Sequence, residues 1–300
     1  MNKVPVILDT DIGGDIDDAW ALALILQCPE IELKMVLSAS GDTTYRAKVL
    51  AKTLSISGRS DIPVGIGKET ILEGDMQTVK EWVKDYRLED YPGVIHEDGI
   101  GAMIELIEQS PEPVTILNIA SLSNIAEALD RAPEIAGKCC FTGMHGSLYK
   151  AYGNKPGRSI EFNVKADIDA CRKVFNAPWI KATITPLDTC GNVVVDGEIY
   201  KKIYSSKKKT IRALFEQYAL WHAMVKADWD ISLQSSNLFD TVAVFLVFSE
   251  SFMRMEKLGI SVSDEGYTIP DSQAGNNINA AVEWIDLDGF KEWLGERLLK

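Results

Sequence analysis

The chain has 300 residues, 46% of them hydrophobic and 25% charged, with a formal net charge of −13. That length suits one large α/β domain or two small ones, and the composition is ordinary for a globular protein. The negative balance argues against DNA, RNA or anionic membranes as main partners.

In chain order, short apolar runs alternate with longer helical patterns. Residues 4 to 8 (VPVIL) read as a buried strand, 18 to 28 as a helix, 31 to 38 as a strand and 43 to 57 as a helix built on Tyr45, Val49, Leu50 and Leu54. A short strand at 62 to 66, a helix at 100 to 109, a strand at 113 to 119, a helix at 123 to 130 and a strand near 139 to 143 follow. A helix at 167 to 176 and a strand at 181 to 185 complete the series. Such alternation predicts an open, mostly parallel α/β sheet with helices on both faces. Residues 198 to 228 read as mainly helical, then come a helical run at 240 to 249, a hairpin over 254 to 270 and a terminal helix at 289 to 299. No low-complexity linker or internal repeat interrupts the pattern, so residues 1 to 300 are expected to form a single domain with a helical C-terminal subregion.

Cys28, Cys139, Cys140, Cys171 and Cys190 are odd in number and lack CxxC spacing, which predicts reduced thiols and no zinc cluster. "MNKVPVILD" enters a strand almost at once, leaving no room for a signal peptide, and no apolar run approaches the ~18 residues of a membrane span. A cytoplasmic protein is the expectation. The lysines at 207 to 209 read as a solvated helix start.

The stretch "VILDTDIGGDIDDAWALAL" gathers Asp9, Asp11, Asp15, Asp17 and Asp18 where the first strand hands over to a helix. In open α/β sheets ligands sit at the carboxyl ends of strands, and this stretch lies at such an end. Two agents can offset so much like charge: the positive end of a helix and a hard cation such as Ca²⁺ or Mg²⁺. Capping accounts for Asp17 and Asp18 but not for five carboxylates. The spacing is not that of an EF-hand. A strand ending in D-x-D also fits a Mg²⁺-dependent haloacid-dehalogenase-type phosphatase, with Asp9 as nucleophile and Asp11 as general acid.

Further along, "GNKPGRSIEFNVKAD" holds Asn154, Glu161 and Asn163, whose amides and carboxylate suit vicinal hydroxyls. "SNLFDTVAVFLVF" sets Asp240 at the head of an apolar helix, where an N-cap is the plain alternative. "YPGVIHEDGIGAM" carries His96 beside a Gly-bounded turn of the kind that substrate loops use.

"ILDTDIGGDIDDAWAL" closely resembles the N-terminal signature of the inosine–uridine-preferring nucleoside hydrolases, usually D-x-D-P-G-x-D-D-A. Here the loop is two residues longer and Ile12 replaces the proline. "LNIASLSNIAEAL", "EFNVKAD" and "FDTVAV" resemble later segments of that family, in the same order along nearly the whole chain. The resemblance implies a nucleoside hydrolase-like fold binding one Ca²⁺. Asp11, Asp18, Asp240 and the main-chain carbonyl of Ile119 would hold the ion. Asp17, Asn154, Glu161 and Asn163 would grip the ribose, and Asp11 would take the proton of the attacking water. Asp15, in the longer loop, has no counterpart.

Where inosine- and uridine-preferring members carry a histidine before the late aspartate, this chain has Phe239, an aromatic side chain of the kind that purine-preferring relatives use to stack on the base. His96 remains a candidate at the substrate. The expected function is Ca²⁺-dependent hydrolysis of ribonucleosides to base and ribose, in purine or pyrimidine salvage, by a dimer or tetramer. The alternatives are a nucleoside-binding or regulatory protein with weak or no hydrolysis, hydrolysis of another ribosyl compound, and the phosphatase.

Overall fold

The computed structural model describes residues 3–71 and 76–300. In β1 (Val4–Thr10), Val6 and Leu8 enter one hydrophobic core while Ile7 enters a second on the opposite face. The period of two along a strand dictates that split, and apolar residues on both faces mark a sheet covered on both sides. α1 (Asp17–Ile25) is buried along its whole length, and beyond the two aspartates of its first turn it is apolar all round. β2 (Ile31–Ser38) lies parallel to β1 and feeds α2 (Thr43–Ile56), whose start is capped by Asp42 Oδ1 accepting from the Tyr45 N–H at 2.8 Å. β3 (Val64–Ile66), the short α3 (Lys80–Val83) and β4 (Ile95–His96) complete this wing.

The other wing begins with α4 (Gly99–Gln109), β5 (Val114–Asn118), α5 (Ser123–Arg131) and β6 (Cys139–Met144). A small ribbon of β7 (Lys150–Ala151) and β8 (Lys155–Pro156) leads to α6 (Phe162–Ala166), α7 (Ile168–Phe175) and β9 (Lys181–Thr185). α8 (Leu187–Cys190), α9 (Gly197–Tyr204), α10 (Lys209–Val225) and α11 (Phe239–Leu246) form the helical subregion. β10 (Met253–Leu258), β11 (Ile260–Val262), β12 (Thr268–Pro270), β13 (Ile278–Trp284) and α12 (Leu287–Leu299) end the chain.

The main sheet runs β10-β13-β9-β6-β5-β1-β2-β3-β4 and is parallel except for the β10–β13 pair. The chain leaves β1 towards β2 and returns to β5 on the other side. The carboxyl ends of β1 and β5 therefore flank a topological switch, where a crevice must open. No helix among the described residues is long and apolar enough to cross a membrane.

The expected hairpin over 254 to 270 is corrected. β10 pairs with β13, and only β11 and β12 form a hairpin, turning near Gly266 at φ 94°. β13 went unread because its two buried alanines dilute the apolar pattern of "INAAVEW". The cysteines are all free thiols, with Cys139 in the core. Asp42→Ala should destabilise the fold by about 1 kcal/mol through loss of the α2 cap; urea denaturation of the variant beside the parent measures it.

Candidate active site

A cavity of about 280 Å³ opens at this switch point. Its floor is acidic: Asp11, Asp17 and Asp18 come from the loop after β1 and the first turn of α1, and Asp240 from the first turn of α11. All four are at least nine-tenths buried. Carboxylate oxygens of Asp17, Asp18 and Asp240 lie within 4.8 Å of one another. None of the three caps its helix: the residues at the cap positions are Ile16 and Leu238, neither with a side-chain cap bond. α1 and α11 pack against each other, so two helix N-termini converge on the cluster and favour negative charge. Burial, and then mutual repulsion, push the carboxyl pKa values of Asp17, Asp18 and Asp240 well above the ordinary range, and Asp17 and Asp240 stand close enough to share a proton. The Thr10 hydroxyl donates to Asp18 and Arg46 sits nearby, both partly offsetting this.

Ile119, just past β5, reaches the same wall, and its N–H donates to Asp9 O at 2.9 Å. The β6 end supplies Met144. Beside it, Glu161 caps α6 and accepts three backbone N–H groups, from Asn163 at 2.7 Å, Gly146 at 3.0 Å and Val164 at 3.1 Å. Burial still raises its pKa to about 7. Asn163 donates its amide to Met144 O at 3.1 Å, which leaves its carbonyl oxygen as the end suited to receive a hydroxyl. The rim is apolar: Phe239 meets Tyr152 edge-on, with ring centroids 6.2 Å apart, and Phe162 and Met76 stand beside them.

The structure brings Asp11, Asp17, Asp18, Ile119, Glu161, Asn163, Phe239 and Asp240 to one cavity, with Asp15 exposed at its mouth. It does not bring Asn154 or His96 there. Asn154 is exposed, in the left-handed region at φ 58°, and Tyr152 occupies the wall instead. His96 ends β4 at the sheet edge.

Asp9 points away, to the face that Ile7 occupies. Its two oxygens accept from Asn118 and Asn124, each at 2.8 Å, and burial raises its pKa to about 7. A nucleophile must present a lone pair to substrate, so the phosphatase reading loses its reactive group. Arg46, only 1% exposed, lines the cavity and was not foreseen.

The open, mostly parallel sheet is the fold of solved nucleoside hydrolases. A plant nucleoside hydrolase, PpNRh1, superposes with a TM-score of 0.78 at 21% identity, covering 98% of each chain. Residues 6–292 match the model of the inosine-uridine preferring nucleoside hydrolase family, and the chain belongs to that family of N-glycosidases. The chain is 28% identical to the pyrimidine-specific ribonucleoside hydrolase RihA of Enterobacter sp. (strain 638), covering 98% of this chain and 97% of the relative. It is 26% identical to the non-specific ribonucleoside hydrolase RihC of Salmonella schwarzengrund (strain CVM19633), covering 97% and 96%.

A carboxyl whose pKa is higher in the fold than in the unfolded chain stabilises the fold fully below the unfolded value, and loses that stabilisation as pH climbs through the folded value. Asp17, Asp18 and Asp240 are all shifted upwards. In a chelator, the melting temperature should therefore fall as pH rises above the ordinary carboxyl value of about 4, and Asp240→Asn, which cannot titrate, should flatten the fall. A pH series of melting curves on both proteins tests this; equal slopes would refute it.

Proposed function

We propose that the chain is a calcium-dependent hydrolase of the N-glycosidic bond of ribonucleosides, releasing free base and ribose, with a preference for purines. The observation that carries this reading is the buried trio of Asp17, Asp18 and Asp240 with oxygens within 4.8 Å. A donor set made only of oxygens, in a buried and strongly anionic pocket, fits a hard dication and offers nothing to a soft one. Of that trio Asp18 and Asp240 would hold it, together with Asp11 and the carbonyl of Ile119 from the same cavity, while the third member, Asp17, would face the sugar. When bound, Ca²⁺ supplies a Lewis acid that acidifies a water and an anchor for vicinal hydroxyls.

The chain's own residues do the rest. Asp11 stands on the wall to accept the proton of the water that attacks the anomeric carbon. Asp17, Glu161 and Asn163 receive the ribose hydroxyls, fixing the ring and excluding water from one side. Carboxylates beside the ring favour the oxocarbenium-like transition state of glycosidic cleavage.

At the base end Phe239 and Tyr152 offer ring faces and edges. No histidine lines the cavity among the described residues, so stacking rather than proton donation is left to handle the leaving base. A purine offers the larger face, which supports the purine preference, although one relative is named pyrimidine-specific. Family membership is the support for a role in nucleoside salvage, for a cytoplasmic location and for a dimer or tetramer.

A panel of ribonucleosides assayed for free base, with calcium and with chelator, tests the reading. No base released from any of them, with ribose still raising the melting temperature, would replace the enzyme with a binding protein. Asp11→Ala should lower kcat by roughly 10²- to 10⁴-fold, the worth of a general base. Phe239→Ala should raise KM for purines more than for pyrimidines; steady-state kinetics on both classes decides, and equal changes would remove Phe239 from base recognition.

A further inference from the structure

The acidic loop has lost two sources of rigidity: it is two residues longer than the pattern it resembles, and Ile12 stands where a proline fixes the backbone. The carbonyls of Asp11, Ile12, Gly13 and Gly14 are nevertheless all met by side chains from two other segments. Arg46 donates through Nη1 to Asp11 O and to Ile12 O (3.2 Å), and through Nε to Ser40 O at 2.7 Å. Tyr45 Oη donates to Gly13 O at 3.0 Å and accepts from the Val79 N–H at 3.1 Å. Thr78 Oγ1 lies 2.9 Å from Gly14 O and 3.1 Å from Gly13 O, and its N–H donates to Gly13 O at 2.9 Å. A β-carbon on Gly13, which sits at φ 93°, would strike the Tyr45 ring, so loop and cradle are cut to fit each other.

We propose that Arg46, assisted by Tyr45 and Thr78, is a positioning residue of this active site: its guanidinium fork fixes the loop that aims Asp11 and delivers Asp17 and Asp18 to the cavity floor. The claim deepens the hydrolase reading and rests on it. Its content is geometric, because only a planar fork reaches Asp11 O, Ile12 O and Ser40 O together, whereas a lysine supplies the same charge from one point. A second consequence separates it from simple charge balance. Were Arg46 only a counter-cation, removing it would leave the pocket more anionic and tighten its hold on a dication. A positioning role predicts the reverse.

The test uses the full chain with Arg46→Lys, Arg46→Met, Tyr45→Phe and Thr78→Val. Three quantities are read: amide hydrogen exchange over residues 12 to 16, calorimetric titration with calcium chloride, and kcat and KM with inosine. Both Arg46 variants should exchange faster, bind calcium about tenfold more weakly and lose about tenfold or more in kcat, with a smaller change in KM. Tyr45→Phe and Thr78→Val should move the same quantities in the same direction by less. Parent-like values in Arg46→Lys would overturn the proposal, as would tighter calcium binding with kcat retained in Arg46→Met. Should the Arg46 variants fail to fold, unchanged exchange and kcat in both Tyr45→Phe and Thr78→Val overturn it. A parent that ignores calcium ends the calcium reading alone, since exchange and kcat still decide the role of Arg46.

Discussion

Repulsion among buried carboxylates is the constraint around which this molecule is arranged. Two unit charges about 4 Å apart interact by about 4 kcal/mol at the effective dielectric of a protein surface. Three such pairs, as Asp17, Asp18 and Asp240 form when all are ionised, rival the roughly 5–15 kcal/mol by which a whole domain is stable. The fold therefore cannot hold the trio fully charged and unaided. Helix N-termini of α1 and α11, the Thr10 hydroxyl and Arg46 each remove part of the cost. What remains must be met by protons or by a cation, and near neutral pH a dication would satisfy it without silencing the acids.

The sheet converts that local problem into a geometry. Alternation along β1 sends Thr10 to the face of Leu8, where its hydroxyl meets Asp18, and sends Asp9 to the face of Ile7. There Asp9 gathers the amides of Asn118 and Asn124, and Asn124 also donates to Ser38 O at 3.0 Å. The ends of β1, β2, β5 and α5 are thus tied together behind the cavity. Because Ile119 follows Asn118 directly and bonds to Asp9 O, the same tie sets where its carbonyl lies. One aspartate of the opening motif works on the far side of the sheet so that the others can work on the near side.

Much of this was legible in the sequence, and the exceptions have physical causes. The strand–helix alternation was readable because strands buried on both faces are continuous apolar runs, and the acidic loop because like charge has so few structural uses. Asp9 was grouped with its neighbours although strand alternation already separates it from Thr10 and Asp18. Arg46 is not among the residues that the sequence patterns single out. Its spacing to Val49, Leu50 and Thr53, all buried, was the available sign that it faces inwards. Tyr152 gave no sign at all: it reaches the wall through a turn in which Gly153 takes φ 68°, and no periodicity encodes such a turn. His96 and Asn154 were chosen for residue type in a loop, and loop residues carry no register to say where they point.

The two ends of the cavity differ in how firmly they are built, and that difference bears on what the enzyme discriminates. The proposed sugar end is polar, buried and tied to backbone: Glu161 is held by three main-chain N–H groups and Asn163 by a main-chain carbonyl. Groups so fixed cannot move to suit another ligand, and a missing hydroxyl would leave a buried acceptor without a partner, the costly kind of mismatch. The proposed base end is apolar and open, with Tyr152 40%, Met76 45% and Phe162 47% exposed. Stacking surfaces accept any flat ring and distinguish rings mainly by size. On the proposed reading, strictness towards the pentose and tolerance towards the base, graded by ring area, would follow from the same division between a rigid polar floor and a loose aromatic rim.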